Sequence, residues 1–369
     1  MQPAVAAAAA NFRRFMPPLP RGQYSALSTR PVIFLVMDYA IQHPRAHFLH
    51  LLRQLRRHRP HILYSTSWHV PPGRVQHHLA ALSRLERACP GVQTTVLAQT
   101  ALETASFTDR GARSLFCNQN ALADERIFRP LPGVEKRFAA IYDAQLARYK
   151  RHALAREVSS LALIGYRNPG TADDRYAAAT ACDFPAAHWF NDPNQSPDQW
   201  RFTDDDVNLA YNQCRVGLCL SAAEGPMWAS IQYLLAGLPV VSTPSEGGRD
   251  EFFEGPHVQI VEPTPGAVAE GVARVAAMNL NPEHIRRRTI EKMSPHRERL
   301  LSHVQALFAA AGEPRSFADE WRRVIPHRLV DLTLVGRGQR RSIQEHDRRI
   351  LASVDQRAPC PGSGEAAER

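Results

Sequence analysis

The residues best suited to chemistry lie in the segment 213–254, where a carboxylate and a helix start follow a buried strand. An apolar run from Val216 to Leu220 predicts the strand, and Glu224-Gly225-Pro226 comes after it. Pro226 favours the first turn of a helix, because a proline there loses no hydrogen bond. The helix is predicted from Met227 to Ala236. A carboxylate can contact hydroxyl groups, and the free N–H groups of a helix start favour phosphate.

A second strand and a glycine pair complete this segment. The residues Leu238 to Ser242 predict another buried strand, and Gly247-Gly248 lies in the loop after it. In an open parallel sheet, ligands bind beyond the carboxyl ends of the strands, and glycine lets backbone approach a ligand closely. Strand, helix start, strand and glycine loop therefore predict half of a nucleotide site.

The order of these residues resembles the donor-sugar region of the family-four retaining glycosyltransferases, the group 1 type with the GT-B fold. Two glutamates of that family, spaced E-x7-E, correspond to Glu224 and Gln232. The segments 236–241 and 247–251 also resemble the family pattern. The resemblance implies that Glu224 contacts the transferred sugar and that residue 232 holds the ribose hydroxyls. The amide of Gln232 can accept from one hydroxyl and donate to another, but it brings no charge.

The positive charge for a departing diphosphate is predicted in the segment 144–151. This segment follows a predicted strand and resembles the family's G-R-L-x-x-x-K-G motif, in which Lys150 matches the lysine. Gln145 replaces the family arginine, and Arg148 is expected to supply the missing charge from a neighbouring turn. Without a metal ion, fixed cations and helix N-termini must stabilise the developing charge. The alternative is a solvated helix start, which the helix dipole disfavours for cations.

Further site residues are expected on both sides of a cleft. Besides Gln145 and Gln232, the donor is expected to contact the helix start and the glycine pair, which comprise Gly225, Pro226, Met227, Gly247 and Gly248. On the acceptor side, Asp38 ends the first predicted strand and His69 follows the second. For His69 the alternative role is to satisfy local backbone groups. The family's glycine-rich loop after the first strand is absent, since residues 38–43 contain no glycine.

No metal or other cofactor is expected. The run Asp204-Asp205-Asp206 suggests a D-x-D metal motif, but it follows Thr203 at a predicted helix start. Threonine caps a helix, and acidic residues in the first turn complement its dipole. Among the cysteines there is no C-x-x-C pair and no zinc-like spacing, and several lie in apolar runs, so a reducing cytosol is expected.

Two alternating series of strands and helices must position these residues. The predicted fold is α/β and GT-B-like, with two Rossmann-like domains facing a cleft. A small N-terminal, acceptor-side domain is expected over 31–135, and a C-terminal domain that binds the nucleotide sugar over 136–330. Residues 1–30 and 331–369 are expected to be a disordered leader and tail. Asn118-Gln119-Asn120 resembles the family's crossing segment between the domains.

Charge and composition narrow the partners. A formal net charge of +9 and a pI near 9.6 indicate an anionic partner. The apolar stripe of the predicted helix at 47–59 allows two interpretations, packing on the sheet or peripheral contact with the inner face of a membrane. Aromatic and basic residues are not interleaved, which disfavours nucleic acid. No G-x-G-x-x-G follows the first strand of either half, which disfavours an oxidoreductase.

The resemblance therefore implies a metal-independent, retaining glycosyltransferase of the hexosyltransferase type, active in glycan biosynthesis. Its donor would be a nucleotide-diphosphate sugar, and its acceptor a glycan, a lipid-linked molecule or a small molecule. The alternative is an inactive protein on the same scaffold that binds nucleotide sugars, because Gln145 and Gln232 replace charged residues of the family.

Overall fold

The computed structural model describes residues 24–41, 47–166, 174–192, 202–325 and 340–355. The first sheet has the order β1-β2-β3-β4-β5, in which β1 is antiparallel and the other strands are parallel. Its strands are β1 (Tyr24–Thr29), β2 (Val32–Met37), β3 (His61–Ser65), β4 (Gln93–Ala98) and β5 (Ser114–Phe116).

Helices connect the parallel strands of this first sheet. They are α1 (His47–Gln54), α2 (Val75–Ala88) and α3 (Ala101–Thr108). Because the strands follow one another in sequence order, right-handed connections place all three helices on one face. Their apolar side chains accordingly form one core with that face of the sheet. The N-terminal domain is thus wound in one direction, and its other face needs a different cover.

The second sheet has six parallel strands in the order β11-β10-β9-β6-β7-β8. They are β6 (Phe138–Gln145), β7 (Leu161–Tyr166), β8 (His188–Trp189), β9 (Cys214–Cys219), β10 (Val240–Ser242) and β11 (Val258–Ile260). The strand order reverses between β6 and β9. A crevice opens beyond the carboxyl ends of the strands at such a point, and ligands bind there.

The described helices of the C-terminal half are α4 (Asp174–Asp183), α5 (Asp204–Asn212), α6 (Trp228–Leu235), α7 (Pro265–Ala277), α8 (Pro282–Ala310), α9 (Phe317–Val324) and α10 (Arg340–Asp355). Thr203 and Asp206 form a capping box at the start of α5. The role of cap predicted for this acidic run is therefore confirmed.

The helix α8 joins the two domains. Ile285 and Met293 in its first part lie in the core of the second sheet. Leu300 and Val304 in its second part, together with Phe317 of α9, cover the open face of the first sheet. The range 136–330 is therefore not one structural unit. Near the end of this range, the chain returns to pack against the N-terminal domain.

Both predicted disordered ends contain ordered elements. The leader expected over 1–30 includes β1, which pairs with β2, while residues 1–23 lie outside the described residues. The tail expected over 331–369 includes α10, in which Ile350 and Val354 are buried. Asp347 of α10 accepts a hydrogen bond from the Tyr24 hydroxyl at 2.6 Å. The remaining tail residues, 331–339 and 356–369, lie outside the described ranges.

Two further expectations concern single helices. The helix start considered as the alternative for the segment 144–151 does not form, because two short 3₁₀ turns, Arg148–Lys150 and His152–Ala155, are separated by Arg151 with a left-handed φ of 53°. For α1, the sheet-packing interpretation is confirmed, since Phe48, Leu51 and Leu52 are wholly buried. Within the described residues, no helix has the length and apolar character needed to cross a bilayer.

The expectation of two α/β domains with mostly parallel sheets is confirmed.

Candidate functional site

A buried ion pair lies at the point where the strand order of the second sheet reverses. Lys150 follows β6 and Glu224 follows β9, and the Lys150 Nζ atom contacts Glu224 Oε1. Lys150 is 2% exposed and Glu224 is 7% exposed. The fold thus brings together the two residues that the sequence predicted for the diphosphate and the sugar.

Glu224 is held from its own loop. Its Oε2 atom accepts a hydrogen bond from Ser221 Oγ at 2.5 Å. Its backbone N–H donates to the carbonyl of Glu246 at 3.0 Å. The next residue, Gly247, has a φ of +100°, and a Cβ there would lie 1.9 Å from the Glu224 carbonyl oxygen. Gly247 therefore allows the loop after β10 to lie against the loop that carries Glu224.

Lys150 is held by the residues around it. Its carbonyl accepts from the Tyr142 hydroxyl at 2.5 Å, and its Nζ atom lies 5.2 Å from the centroid of the Tyr149 ring. Behind it, burial and the Lys150 charge lower the pKa of His152 to about 3. His152 is therefore neutral at ordinary pH and adds no second positive charge beside Lys150.

Gln145 and Arg148 lie in the same segment as Lys150. Gln145 is buried, and its Oε1 atom accepts a hydrogen bond from the Tyr149 hydroxyl at 3.0 Å. Arg148 is exposed, with its guanidinium 5.6 Å from the centroid of the Tyr176 ring. The amide of Gln145 thus orients the ring beside Lys150, while Arg148 contacts a different aromatic side chain.

Gln232 belongs to a buried polar network on α6. The Tyr211 hydroxyl shares its single hydrogen between Asp143 Oδ2 at 2.5 Å and the Gln232 Oε1 atom at 3.1 Å. Burial raises the pKa of Tyr211 well above its ordinary value, so the hydroxyl keeps its proton. A carboxylate from β6, which the sequence did not single out, therefore stands beside the uncharged residue 232.

The start of α6 differs from the expectation by a short distance. Met227 is the N-cap, so Pro226 lies just before the helix and not in its first turn. The Met227 carbonyl accepts from Asn120 Nδ2 at 3.0 Å. The predicted crossing segment is therefore bound directly to the helix start beside the ion pair.

Glycines of the C-terminal domain lie against loops of the N-terminal domain. A Cβ at Gly225 would lie 2.5 Å from the Ser67 carbonyl oxygen, and one at Gly248 would lie 2.7 Å from Gln99 Cβ. Asn118 Nδ2 donates to the Gly248 carbonyl at 2.8 Å. Because glycine has no side chain, these positions allow the loops of the two domains to approach each other closely in this structure.

The two residues predicted for the acceptor side have different surroundings. The Nε2 atom of His69 lies 3.6 Å from Glu246 Oε2, and its Nδ1 atom lies 3.6 Å from Glu103 Oε1, so His69 is at the domain junction. Asp38 is 3% exposed, and burial raises its pKa, although hydrogen bonds from Ser67 oppose that rise. Asp38 therefore holds the loop of Ser67 in place through hydrogen bonds.

The sequence also did not single out Arg249, which is wholly buried beneath the site. The sequence signal that could have indicated Arg249 is its position directly after the glycine pair. An arginine in a polar loop is ordinarily exposed, however, so its burial was not expected. Across the described ranges, no cluster of three or more His, Cys, Asp or Glu side chains is arranged to hold a metal ion.

No protein-family model matches the chain, and no curated protein matches it. Among solved structures, the chain is similar to HepE from Anabaena in complex with UDP and glucose, with 14% identity, a TM-score of 0.47 and 70% of this chain and 77% of that chain covered. It is similar to sucrose-phosphate synthase from Thermosynechococcus elongatus, with 14% identity, a TM-score of 0.48 and 70% of each chain covered.

A third similar structure is the UDP-forming trehalose-phosphate synthase from Burkholderia xenovorans, with 17% identity, a TM-score of 0.46 and 76% of this chain and 73% of that chain covered.

Proposed function

We propose that this protein transfers a sugar from a nucleotide-diphosphate sugar to an acceptor hydroxyl, with retention at the anomeric carbon and without a metal ion. The observation that carries the proposal is the buried Lys150–Glu224 pair at the reversal point of a parallel sheet. A cation there suits a diphosphate, and a carboxylate beside it suits the hydroxyl groups of a sugar.

In the proposed reaction, the bond between the anomeric carbon and the diphosphate oxygen breaks, and the diphosphate keeps the electron pair. The acceptor oxygen bonds to the anomeric carbon from the same face, and its proton passes to the departing phosphate oxygen. Lys150 and the N–H groups at the start of α6 stabilise the charge on the leaving group. Glu224 orients the sugar, and Gln232 with its neighbour Asp143 serves the ribose.

The test is the release of UDP or GDP from their common sugar conjugates, with water as the default acceptor. Glu224→Ala should reduce turnover far more than it lowers the free energy of unfolding. A loss of turnover that the loss of folded protein fully explains would contradict the role of Glu224. Chelator treatment should leave turnover unchanged, and NMR spectra recorded before the released sugar mutarotates should show the anomeric configuration of the donor.

A second function is an inactive protein that binds nucleotide sugars, and specific contacts favour it. The amides of Gln145 and Gln232 each accept from a tyrosine hydroxyl and bring no charge to the ligand. If the site has decayed in this way, Gln232→Glu should raise donor affinity strongly while turnover stays undetectable. Turnover in the unmodified protein would dismiss this function.

A further inference from the structure

We propose that Arg249 is a positioning residue that acts through Ser221 to hold the carboxylate of Glu224 in the orientation that binds the donor's sugar. This inference rests on the proposed function, since it concerns the same site. It assigns a role to two residues that lie outside the ion pair itself.

The guanidinium of Arg249 ties together the ends of two neighbouring strands. On the β9 side, its Nη1 atom donates to the carbonyls of Cys219 and Ser221 at 3.1 and 2.6 Å. On the β10 side, its Nη2 atom donates to Ser242 Oγ and the Thr243 carbonyl at 2.7 and 2.6 Å. The loops that begin at these two strands therefore share one buried anchor.

The charge of Arg249 is kept despite burial. Burial by itself would lower the pKa of the guanidinium, but Asp250 raises it above its ordinary value. The Nε atom donates to Asp250 Oδ1 at 2.6 Å. Because a charged guanidinium has N–H donors and no acceptor, every group that it contacts must accept from it.

This one-way donation fixes the direction of the hydrogen bond to Glu224. Arg249 Nη1 also donates to Ser221 Oγ at 3.2 Å. The hydroxyl has a single hydrogen, which it donates to Glu224 Oε2 at 2.5 Å. Since Lys150 contacts the other carboxylate oxygen, Glu224 is held at both oxygens. Its remaining lone pairs then point in a fixed direction toward sugar hydroxyls.

The chain provides a matched control for a merely structural role. Ser242 is as fully buried as Ser221, and both hydroxyls accept from Arg249. The hydroxyl of Ser242 is hydrogen bonded to the carbonyls of Cys219 and Thr243, whereas that of Ser221 reaches Glu224. If packing or the contact with Arg249 is what matters, Ser221→Ala and Ser242→Ala should weaken sugar binding alike. If the orientation of Glu224 is what matters, only Ser221→Ala should weaken it.

The experiment compares Ser221→Ala, Ser242→Ala and Arg249→Lys with the unmodified protein. Calorimetry gives the Kd values of UDP, UDP-glucose, GDP and GDP-mannose. The readout is the sugar contribution, which is the Kd of the nucleotide divided by the Kd of its sugar conjugate. Ser221→Ala should reduce this sugar contribution about tenfold, as expected for one hydrogen bond to a charged group. UDP or GDP affinity should change less than about twofold, and Ser242→Ala should leave the sugar contribution intact.

Arg249→Lys should reproduce the effect of Ser221→Ala on the sugar contribution, because lysine cannot replace the planar set of donors. Its free energy of unfolding is measured alongside. Equal effects of the two serine variants, or a parallel loss of affinity for nucleotide and sugar conjugate, would overturn the positioning role. If the unmodified protein binds none of the four ligands, the proposed function itself fails, and the positioning role fails with it.

Discussion

At the scale of single residues, the proposed function depends on two oppositely charged side chains that the fold brings into one buried contact. Lys150 and Glu224 are separated by 74 positions in the chain, yet their side chains meet beyond the ends of two adjacent strands. Removing one partner of a buried pair is costly, because the other charge stays without compensation. A bound diphosphate could replace that compensation for Lys150.

Replacing Glu224 by glutamine should therefore strengthen nucleotide binding and destabilise the ligand-free protein. We expect Glu224→Gln to bind UDP or GDP about tenfold more tightly, since the neutralising carboxylate is gone. The ligand-free protein should lose about 3 kcal/mol of unfolding free energy. Isothermal titration calorimetry and denaturant unfolding measure the two quantities.

The control for this change is Glu246→Gln. The Glu246 side chain is 78% exposed and lies beside His69. Its replacement therefore removes one negative charge from the same region without breaking the Lys150–Glu224 pair. We expect a change in nucleotide affinity of less than about twofold, because exposed charges are screened. Weaker nucleotide binding by Glu224→Gln would contradict the compensation between Lys150, Glu224 and phosphate.

Sequence reasoning identified the two members of the pair but not their immediate supports. Lys150 and Glu224 were expected because the segments around them resemble motifs of a glycosyltransferase family. Asp143 and Arg249 were missed because their roles depend on contacts with residues from other strands. No pattern along the chain distinguishes a buried arginine from an exposed one, since burial follows from the packing of loops.

At the scale of elements, strands were predicted more reliably than ends and turns. The apolar runs of the parallel strands stand out because they are buried on both faces. The strand β1 was missed, since it pairs antiparallel at an edge and only part of it is buried. The helix α10 was missed because its few apolar residues are surrounded by charged ones. The left-handed Arg151 gave no signal in the sequence.

The loop after β10 requires glycine at position 247. Its φ of +100° and the 1.9 Å approach of a Cβ to the Glu224 carbonyl both oppose any side chain. We expect Gly247→Ala to lower the free energy of unfolding by about 3 kcal/mol or more, and to abolish donor binding. Chemical denaturation and calorimetry measure these effects.

Gly111→Ala is the control, because Gly111 has a similar φ of +82° with nothing within 4 Å of a Cβ. It isolates the strain of the left-handed backbone, for which about 1 kcal/mol is expected. Equal losses in the two variants would contradict the close approach of the two loops.

The segment that carries Lys150 should make stability depend on pH. The pKa of His152 is lowered to about 3 in the folded protein, against about 6.5 when unfolded. Above pH 6.5 both states are neutral and His152 contributes nothing to the pH dependence. As pH falls below 6.5, the unfolded state binds the proton first, so stability decreases by up to about 1.4 kcal/mol per pH unit.

Replacing His152 by asparagine should flatten this dependence between about pH 6.5 and 4. Denaturant unfolding at several pH values measures the slope. His78, with a pKa lowered by burial to about 4, should give the same sign when replaced. A slope unaffected by His152→Asn would show that this imidazole is not buried in a neutral state.

At the scale of the whole molecule, the two domains are held close by backbone contacts and a shared helix. Arg297 of α8 donates to the carbonyls of Ala121 and Ala123 at 2.6 and 3.0 Å, which fixes the crossing segment. The glycines of the C-terminal domain lie against loops of the N-terminal domain. The sequence predicted two domains, but it could not show that the chain returns to the first.

The domain contact can be tested at Gly225, whose φ lies outside the left-handed region. A Cβ there would lie 2.5 Å from the Ser67 carbonyl oxygen, so Gly225→Ala should displace the N-terminal loop by about 1 Å. We expect nucleotide-sugar turnover to fall by up to about a hundredfold, with a small change in the free energy of unfolding. Gly73→Ala, where nothing lies within 4 Å, should keep full turnover. Unchanged turnover in Gly225→Ala would mean that this contact does not matter for the reaction.

The most direct measurement of the central claim is the binding of UDP, GDP and their common sugar conjugates to the purified protein, by ligand-observed NMR, alongside Lys150→Met. The account predicts saturable binding of one nucleotide series that Lys150→Met abolishes, while Glu246→Gln retains it. Absence of binding to every nucleotide, or binding that Lys150→Met leaves unchanged, would contradict a donor site at the Lys150–Glu224 pair.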